Sequence, residues 1–369
     1  MRKGLLLACG ACALLAAAPP AAADPQIGKI LRRAEKRADQ LQSLRVTEQE
    51  EIQLGEAVSE KIRVRYGVVQ DAAVHKYVSL LGTVLVENGP RPGLPWHFIV
   101  LDTDGVNAFA APGGYIHVTR GALGLIRNEA ELAAVLAHEI AHVTDKHTVE
   151  AIQKSNAIQI GASETLRDRE VFNRVVDKTA EIVMAGFGRA EELEADRDAL
   201  RLANGIGYAP GGLSAFLTRL TERNKESSGK QGLYSSHPEM KERLDRLGKQ
   251  VASEHLASTT LLDARYARYI SYKTKPQAEV AEVVDGAAGL TSGGQASAPP
   301  PPPKKKGIGL SNLLKPSGSE RKSAEVTGSG ASRGVDTERG ARGGANPALV
   351  AVKVTEAEVA AFRKEGNLK

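Results

Sequence analysis

The feature that most constrains this sequence is a helical run at residues 138–142, which reads HEIAH. Residues 128–137 before it are helix-forming, and their apolar positions recur at helical spacing. Residues four apart share one face of a helix, so His138 and His142 can bind one metal ion while Glu139 projects beside them. A helix that carries two surface histidines by chance is the alternative, but burying these polar groups is costly without a metal partner. The run therefore predicts the metal site of a zinc peptidase.

The third protein ligand has to come from another part of the chain. In the extended form of the motif a third histidine would stand at position 148, which is Thr148, so that class of site is excluded. A helix predicted to begin at Arg189 carries Glu192 and Asp196 four residues apart on one face. One of these carboxylates can bind the metal while the other orients it or a neighbouring histidine. An ordinary solvated acidic face is the alternative.

A glycine-rich turn and a short strand precede the metal-binding helix. The turn ends at Gly113 and Gly114, and the strand that follows spans residues 115–119. Glycines here let another backbone approach closely, which suits an edge strand that binds an extended peptide by main-chain hydrogen bonds. A plain hairpin would look similar. We expect the substrate to lie against an edge strand that contains Gly114, Tyr115, Ile116, His117 and Val118.

Helical patterns surround these motifs. A capping box at Thr47 and Glu50 opens the first helix of the unit, and a helix that ends near Gln250 closes it. We therefore expect one folded domain over residues 47–255, followed by a C-terminal extension at 256–286 that can pack on it.

The N-terminus has the pattern of an export signal. Residues 1–23 hold a basic start, an apolar run and a small-residue cleavage site, and a lipoprotein signal ending at Cys9 is the less favoured alternative. Both cysteines, Cys9 and Cys12, lie in this leader, so the exported chain would carry no disulfide and no cysteine ligand. Loss of Arg2 and Lys3 takes the formal net charge from +5 to +3, which gives no indication of nucleic-acid binding.

Three further segments flank the predicted domain. For residues 24–46 we expect a basic amphipathic helix that packs on the domain or makes peripheral contact with an anionic membrane surface. Residues 287–346 are rich in Gly, Ser, Pro and charge, so we expect a disordered linker. Residues 347–369 read as a strand at 348–354 and a capped helix, a tail that docks on the domain or binds a partner. No stretch after the leader offers about 20 uncharged apolar residues, so we expect no transmembrane segment.

Four motifs in order resemble the zinc metallopeptidase family of the CAAX prenyl endopeptidase, HtpX and BepA. They are residues 107–120, the HEIAH run, Glu192-Leu193-Glu194-Ala195-Asp196, and Ser236-His237-Pro238 with Arg243. The prenyl-protease branch favours Asn four residues before the ligand Glu, where this chain has Gly188. The chain is therefore more similar to the soluble, exported branch.

The resemblance implies both a fold and a set of site residues. The fold would be α+β, mainly α-helical and gluzincin-like, with a small sheet whose edge strand precedes the HExxH helix. One Zn²⁺ per chain would be bound by His138, His142 and Glu192. Glu139 would be the catalytic carboxylate, and Asp196 would orient one of the metal ligands without itself binding the zinc.

The sequence leaves the role of His237 open. It stands in a loop before Pro238, and proline suits the first position of a helix, so one alternative is that His237 has only a structural role at the start of that helix. Some members of the resembling family use this histidine to cap the zinc and hold the enzyme latent, whereas a protonated histidine here would steady an oxyanion. Tyr234 and Arg243 are the other candidate oxyanion donors.

Together these features predict a zinc-dependent endopeptidase of the bacterial cell envelope, located in the periplasm. Glu139 would act as the general base, and the substrates would be unfolded or misassembled envelope proteins. A connection with the outer-membrane assembly machinery rests on the family resemblance alone. The alternative is an envelope chaperone or assembly factor that binds extended chains and keeps a zinc site shut with His237.

Overall fold

The computed structural model describes residues 28–29, 32, 46–155, 168–225, 237, 240–276, 279–280 and 346–369. Four of the predictions fall wholly or mostly outside these residues. They concern the signal at 1–23, the helix at 24–46, Tyr234 and the linker at 287–346.

Helices make up most of the described chain, as the sequence predicts. The first of them begins with the predicted capping box, in which the Glu50 backbone N–H donates to the Thr47 hydroxyl and the Thr47 N–H donates to the Glu50 carboxylate. The helices with both ends described are α1 (Glu48–Tyr66), α2 (Ala72–Glu87), α3 (Arg120–Leu125), α4 (Glu129–Thr144), α5 (His147–Lys154), α6 (Arg169–Ala185), α7 (Arg189–Ile206), α8 (Gly212–Lys225), α9 (Met240–Ser253), α10 (Asp263–Tyr269) and α11 (Glu356–Gly366).

Helix α4 runs through the centre of the fold. Asn128 caps its start by accepting a hydrogen bond from the Glu131 N–H, and every residue of the helix is buried. A helix that is apolar around most of its circumference needs neighbours on all sides, and α2, α7 and α8 supply them. The metal-site motif is thereby held inside the core.

A three-stranded sheet packs beside α4. Its strands are β1 (His97–Leu101), β2 (Ala108–Ala111) and β3 (Tyr115–Thr119), in the order β1-β3-β2. β1 is parallel to β3, and β2 is antiparallel to it. Alternate strand residues face opposite sides, one side toward the core around α4 and the other toward α1 and α6. The predicted mainly helical fold with a small sheet is confirmed.

The prediction that β3 is an edge strand is wrong. Tyr115 pairs with His97 of β1 on one side and with Ala111 of β2 on the other, so both backbone edges of β3 are used. The sequence shows which residues favour strands, but it does not show which neighbour pairs with each side. β1 and β2 are the two outer strands of the described sheet. The outer edge of β1 is already bonded to residues 67–69, for example from the Val69 N–H to the Val100 carbonyl.

The glycines before β3 do allow a close backbone approach, but the approaching chain is α1. Gly113 has a φ of 69°, and a Cβ there would lie 2.5 Å from the Ile52 Cα. A Cβ on Gly55 of α1 would in turn lie 1.9 Å from the Pro112 carbonyl oxygen. These glycines therefore fix α1 against the turn that leads into the sheet.

This contact predicts an unequal response of two helical glycines to alanine. Gly55→Ala forces the backbones of α1 and the turn apart, so we expect a loss of about 3 kcal/mol in the free energy of unfolding. Gly248→Ala is the matched control, because a Cβ there meets nothing within 4 Å, and we expect a gain of about 0.5–1 kcal/mol. Urea unfolding of both variants measures the difference. Equal stabilities would contradict the close packing.

The C-terminal tail docks on the domain. Val359 and Phe362 of α11 are buried in the same core as α4, together with Tyr266 and Ile270 from the segment after α9. The Lys369 N–H donates to the Ile206 carbonyl at the end of α7. The tail therefore packs on the domain in this structure, which is the first of the two alternatives that the sequence left open.

The predicted strand at 348–354 is not formed. Residues 346–355 have no regular secondary structure, and the first of their carbonyls accept single hydrogen bonds from α1 and the α1–α2 junction, among them one from the Val68 N–H to the Asn346 oxygen. Side chains of Arg63 and Gln70 satisfy the next two carbonyls. Side-chain donors thus satisfy carbonyls that would otherwise pair with a neighbouring strand. A sequence pattern cannot reveal such long-range side-chain contacts.

In the described part of the chain, none of the helices combines the length and the apolar character that crossing a membrane requires.

Candidate metal centre

Two packed helices supply most of the predicted site. His138, Glu139 and His142 lie in the second half of α4, and each is at most 4% exposed. Glu192 lies in the first turn of α7 and Asp196 one turn later, both buried against α4. Helical spacing of four residues on each helix therefore brings the imidazoles and carboxylates face to face.

The candidate ligand atoms have the separations of a tetrahedral zinc site. Zinc bonds of about 2.0–2.1 Å put tetrahedral ligands about 3.4 Å apart. The Nε2 atoms of His138 and His142 lie 3.1 Å apart, and they lie 3.5 and 3.4 Å from the two carboxylate oxygens of Glu192. Two imidazoles and one carboxylate are also a donor set that zinc prefers. The residues present therefore fit a zinc ion.

His237 stands at the fourth corner of this arrangement. Its Nδ1 atom lies 3.3 Å from the His138 Nε2 atom and 2.9 Å from both oxygens of Glu192. Its side chain is buried, and its four-residue group with His138, His142 and Glu192 has all ligand atoms within 4.8 Å of one another. In this structure the fourth position is thus faced by a protein side chain.

Asp196 and Arg243 lie behind the candidate ligands. The Asp196 Oδ1 atom is 3.0 Å from the His138 Nδ1 atom, on the side of the ring away from Glu192. Arg243 donates from Nε and Nη2 to Asp196 at 2.8 and 2.7 Å, and its Nη1 lies 2.9 Å from Glu192. Burial alone would raise the pKa of Asp196, but Arg243 and His138 hold it below its usual value. Arg243 therefore keeps the carboxylates charged inside the core.

The two imidazoles of α4 have different electrostatic surroundings. Burial favours the neutral form of both rings. The hydrogen bonds of His138 with Asp196 and Glu192 outweigh its burial and raise its pKa to about 9. Burial dominates for His142 and lowers its pKa to about 3, so this ring is neutral, the form in which imidazole binds a metal.

Glu139 faces the same space without a full set of partners. Its Oε1 atom is 3.8 Å from the His237 Nε2 atom, and within the described part of the chain its Oε2 atom has no hydrogen-bond partner. Burial raises the pKa of this carboxyl, although the nearby His237 and His138 oppose the shift. A buried carboxylate with a free oxygen and a raised pKa is suited to accept and return a proton.

Two residues around His142 carry no role in the sequence analysis. His147, the first residue of α5, places its Nδ1 atom 2.8 Å from the His142 Nδ1 atom. Phe187, in the loop before α7, stacks on the His142 ring with centroids 4.2 Å apart and an angle of 19° between the planes. A histidine five positions after a ligand is visible in the sequence, but its contact depends on a break between α4 and α5.

The remaining predicted site residues are placed as follows. Gly114 to Val118 form the turn end and centre of the sheet, with backbone edges already paired. Tyr234 lies outside the described residues. The Nε, Nη1 and Nη2 donors of Arg243 all face Asp196, Glu192 or the His237 carbonyl.

Comparison with known proteins points in the same direction as the geometry. The model of peptidase family M48 matches residues 72–251. The chain is 28% identical over 207 residues to the beta-barrel assembly-enhancing protease of Escherichia coli, which covers 53% of this chain and 42% of that protein. It is 30% identical over 151 residues to the mitochondrial metalloendopeptidase OMA1 of Arabidopsis thaliana, covering 41% of this chain and 30% of that protein.

A third relative, the metalloprotease YcaL of Escherichia coli, is 27% identical over 166 residues, covering 44% of this chain and 64% of that protein. The chain thus spans less than half the length of the beta-barrel assembly-enhancing protease that it matches. Each of the three alignments covers only part of this chain and only part of the relative.

Proposed function

Because residues 72–251 of this chain form a peptidase family M48 domain, we propose that the protein is a zinc-dependent metalloendopeptidase. The observation that carries the proposal is the convergence of His138, His142 and Glu192 at the spacing of tetrahedral zinc ligands, with Glu139 beside them. The names of the three relatives, which are a protease, a metalloendopeptidase and a metalloprotease, support the same class of reaction.

The chemistry divides between the bound ion and the protein. When bound, zinc supplies Lewis acidity that lowers the pKa of a coordinated water to about 7 and polarises the scissile carbonyl. Glu139 takes the proton of the attacking water through its free Oε2 atom and delivers it to the leaving amine. One zinc per chain accounts for all the candidate ligands.

Asp196 and Arg243 are positioning residues in this proposal. The Asp196 carboxylate lies 3.0 Å from the His138 Nδ1 atom, which is the position from which a partner commonly orients a metal-bound histidine. Arg243 fixes both Asp196 and Glu192, and this use of its donors replaces the oxyanion role that the sequence suggested for it.

His237 supports a second candidate function. Its Nδ1 atom lies at the fourth corner of the ligand set, where a nucleophilic water would have to bind. A chain held in this state would act as an envelope chaperone or assembly factor with a latent zinc site. The two functions can coexist if the capping ring is displaced by a substrate.

If His237 caps the fourth zinc position, His237→Ala should raise turnover several-fold. Removal of the imidazole opens the fourth position without touching His138, His142 or Glu192, so the zinc content should stay at one per chain. Cleavage of an unfolded protein substrate, measured at equal zinc loading, checks the prediction. Unchanged or lower turnover at full zinc content would exclude the cap.

We propose that substrates are unfolded or misassembled proteins of the bacterial envelope, reached in the periplasm through the signal predicted at residues 1–23. The name of the Escherichia coli relative, beta-barrel assembly-enhancing protease, supports a connection with outer-membrane assembly. Because β3 is paired on both sides and the outer edge of β1 is bonded to Val69, we assign the predicted role of substrate strand to β2. The Thr148 hydroxyl lies 3.4 Å from the Ala110 carbonyl, so a peptide would pair there only after α5 shifts.

The substrate proposal has a direct test. The purified chain, loaded with zinc, is incubated with one protein in its folded form and in a permanently unfolded form. We expect cleavage of the unfolded form alone, at many sites, because recognition through the backbone depends little on side chains. Equal cleavage of the folded form, or one cut at a single sequence, would contradict recognition of extended chains.

A further inference from the structure

The two imidazoles of α4 that face Glu192, those of His138 and His142, are supported in different ways. His138 is backed by the carboxylate of Asp196, with 3.0 Å between the Nδ1 and Oδ1 atoms. His142 is backed by a third imidazole, with 2.8 Å between its Nδ1 atom and the Nδ1 atom of His147. The His147 Nε2 atom in turn lies 3.5 Å from the Glu194 Oε2 atom. We propose that His147, supported by Glu194, is a positioning residue that orients His142 for metal binding.

The backbone is shaped to make this contact. In a continuous helix, residue 147 would lie five positions after His142 and about 140° away around the axis, so it could not face the His142 ring. Helix α4 ends at Thr144, and Lys146 adopts a left-handed conformation with a φ of 56°. Left-handed backbone is uncommon and unfavourable for a lysine. The chain nevertheless adopts it here, and His147 returns to His142 as the first residue of α5.

The order of donors and acceptors follows from the zinc site. If His142 binds the metal through Nε2, its Nδ1 atom carries the proton and donates to the Nδ1 atom of His147. His147 then has its own proton on Nε2, on the side of the Glu194 carboxylate. His147 is 1% exposed, so water does not compete for this hydrogen bond. We call the chain of contacts from His142 through His147 to Glu194 the relay. The relay selects the tautomer of His142 that leaves Nε2 free for the metal.

Phe187 completes the restraint on the His142 ring. It stacks on the face of the ring, while His147 approaches it nearly edge-on with centroids 4.9 Å apart and 68° between the planes. A hydrogen bond fixes the rotation of the ring within its plane, and a stacked neighbour fixes the plane itself. Together they hold one ligand in the orientation needed for binding before the metal arrives, which reduces the entropy lost on binding.

The inference rests on the proposed zinc site. Zinc binding by the original chain tests the zinc site, and the difference in zinc affinity between the original chain and its variants tests the role of His147. The full chain is titrated with zinc against a chelator of known affinity, and the unfolding of the metal-free form is followed in parallel. His147→Phe keeps a ring of similar size but removes the acceptor, so we expect a 10- to 100-fold loss of zinc affinity. His147→Asn keeps an acceptor near the position of Nδ1, and we expect its affinity to stay within about threefold of the original.

The outcomes separate positioning from packing. Affinity of His147→Phe within twofold of the original would overturn the proposal, and so would a His147→Asn variant as weak as His147→Phe. If the original chain binds no zinc, the proposed function fails first, which is a different result from equal binding by all variants.

Glu194→Gln decides the question if His147→Phe does not fold. Its matched control is Glu191→Gln, because Glu191 lies on the same helix but pairs with the exposed Lys154 at 3.1 Å. We expect the zinc affinity of Glu194→Gln to fall by more than threefold relative to Glu191→Gln. Equal affinity of these two variants would overturn the relay.

Discussion

Replacing Glu139 with glutamine should reduce peptide-bond cleavage by about 100- to 10,000-fold and leave the zinc content unchanged. The amide cannot accept the proton of the attacking water, and general acid–base groups contribute factors of this size. Zinc should stay because Glu139 is not among the atoms at ligand spacing, which belong to His138, His142, Glu192 and His237. The measurement is the initial rate of cleavage of an unfolded protein at matched zinc content.

A matched variant shows whether a lower cleavage rate comes from a general loss of structure. Glu131→Gln changes another buried glutamate of α4, at the far end of the helix, where it accepts from the Arg127 N–H and pairs with Arg219. We expect it to lower stability and to leave the rate at full zinc content close to that of the original chain. Residual cleavage of more than a tenth in Glu139→Gln would show that another group acts as the base.

The second large effect concerns the link between the tail and α4. Glu129, the first residue of α4, is fully buried and accepts hydrogen bonds from Tyr77 at 2.9 Å, Tyr208 at 2.6 Å and Arg265 at 2.7 Å. Arg265 also donates to the Phe362 carbonyl of α11 and lies over the Phe362 ring, 3.9 Å from its centroid. One buried ion pair therefore ties the start of α4 to the C-terminal tail.

Arg265→Ala should lower the free energy of unfolding by about 3–5 kcal/mol, because it leaves the Glu129 charge buried without its cation. The control is Arg268→Ala one turn away, whose partner Glu365 and own side chain are 46% and 58% exposed. Loss of that solvent-exposed pair should change the free energy of unfolding far less. Urea unfolding of the full chain measures both. Similar losses for the two variants would contradict a buried anchor for the tail.

The grouping of the candidate ligands was largely predictable, because these residues lie at helical spacing. His138 with His142, and Glu192 with Asp196, are each four residues apart, and this spacing survives any packing of the two helices. The spacing could not say which carboxylate faces the metal side. That choice depends on how α4 and α7 pack, and the geometry puts Glu192 at the ligand atoms and Asp196 behind His138.

Features that depend on tertiary contacts were missed or predicted wrongly. Strand β3 has the sequence of a strand, but its central place follows from the pairing of β1 and β2 around it. The contact of His147 with His142 depends on the left-handed Lys146. The docked α11 is contacted by Arg265, which precedes its partner Phe362 by 97 residues in sequence. Each is a long-range or backbone effect that local patterns do not encode.

The most direct test of the zinc centre is the metal content of the purified full chain, measured together with its cleavage of an unfolded protein. The account predicts one zinc per chain, loss of both zinc and cleavage in Glu192→Ala, and recovery of cleavage when zinc is returned to chelator-treated original protein. Cleavage that persists after the metal is removed, or a chain that binds no zinc with Glu192 intact, would contradict it.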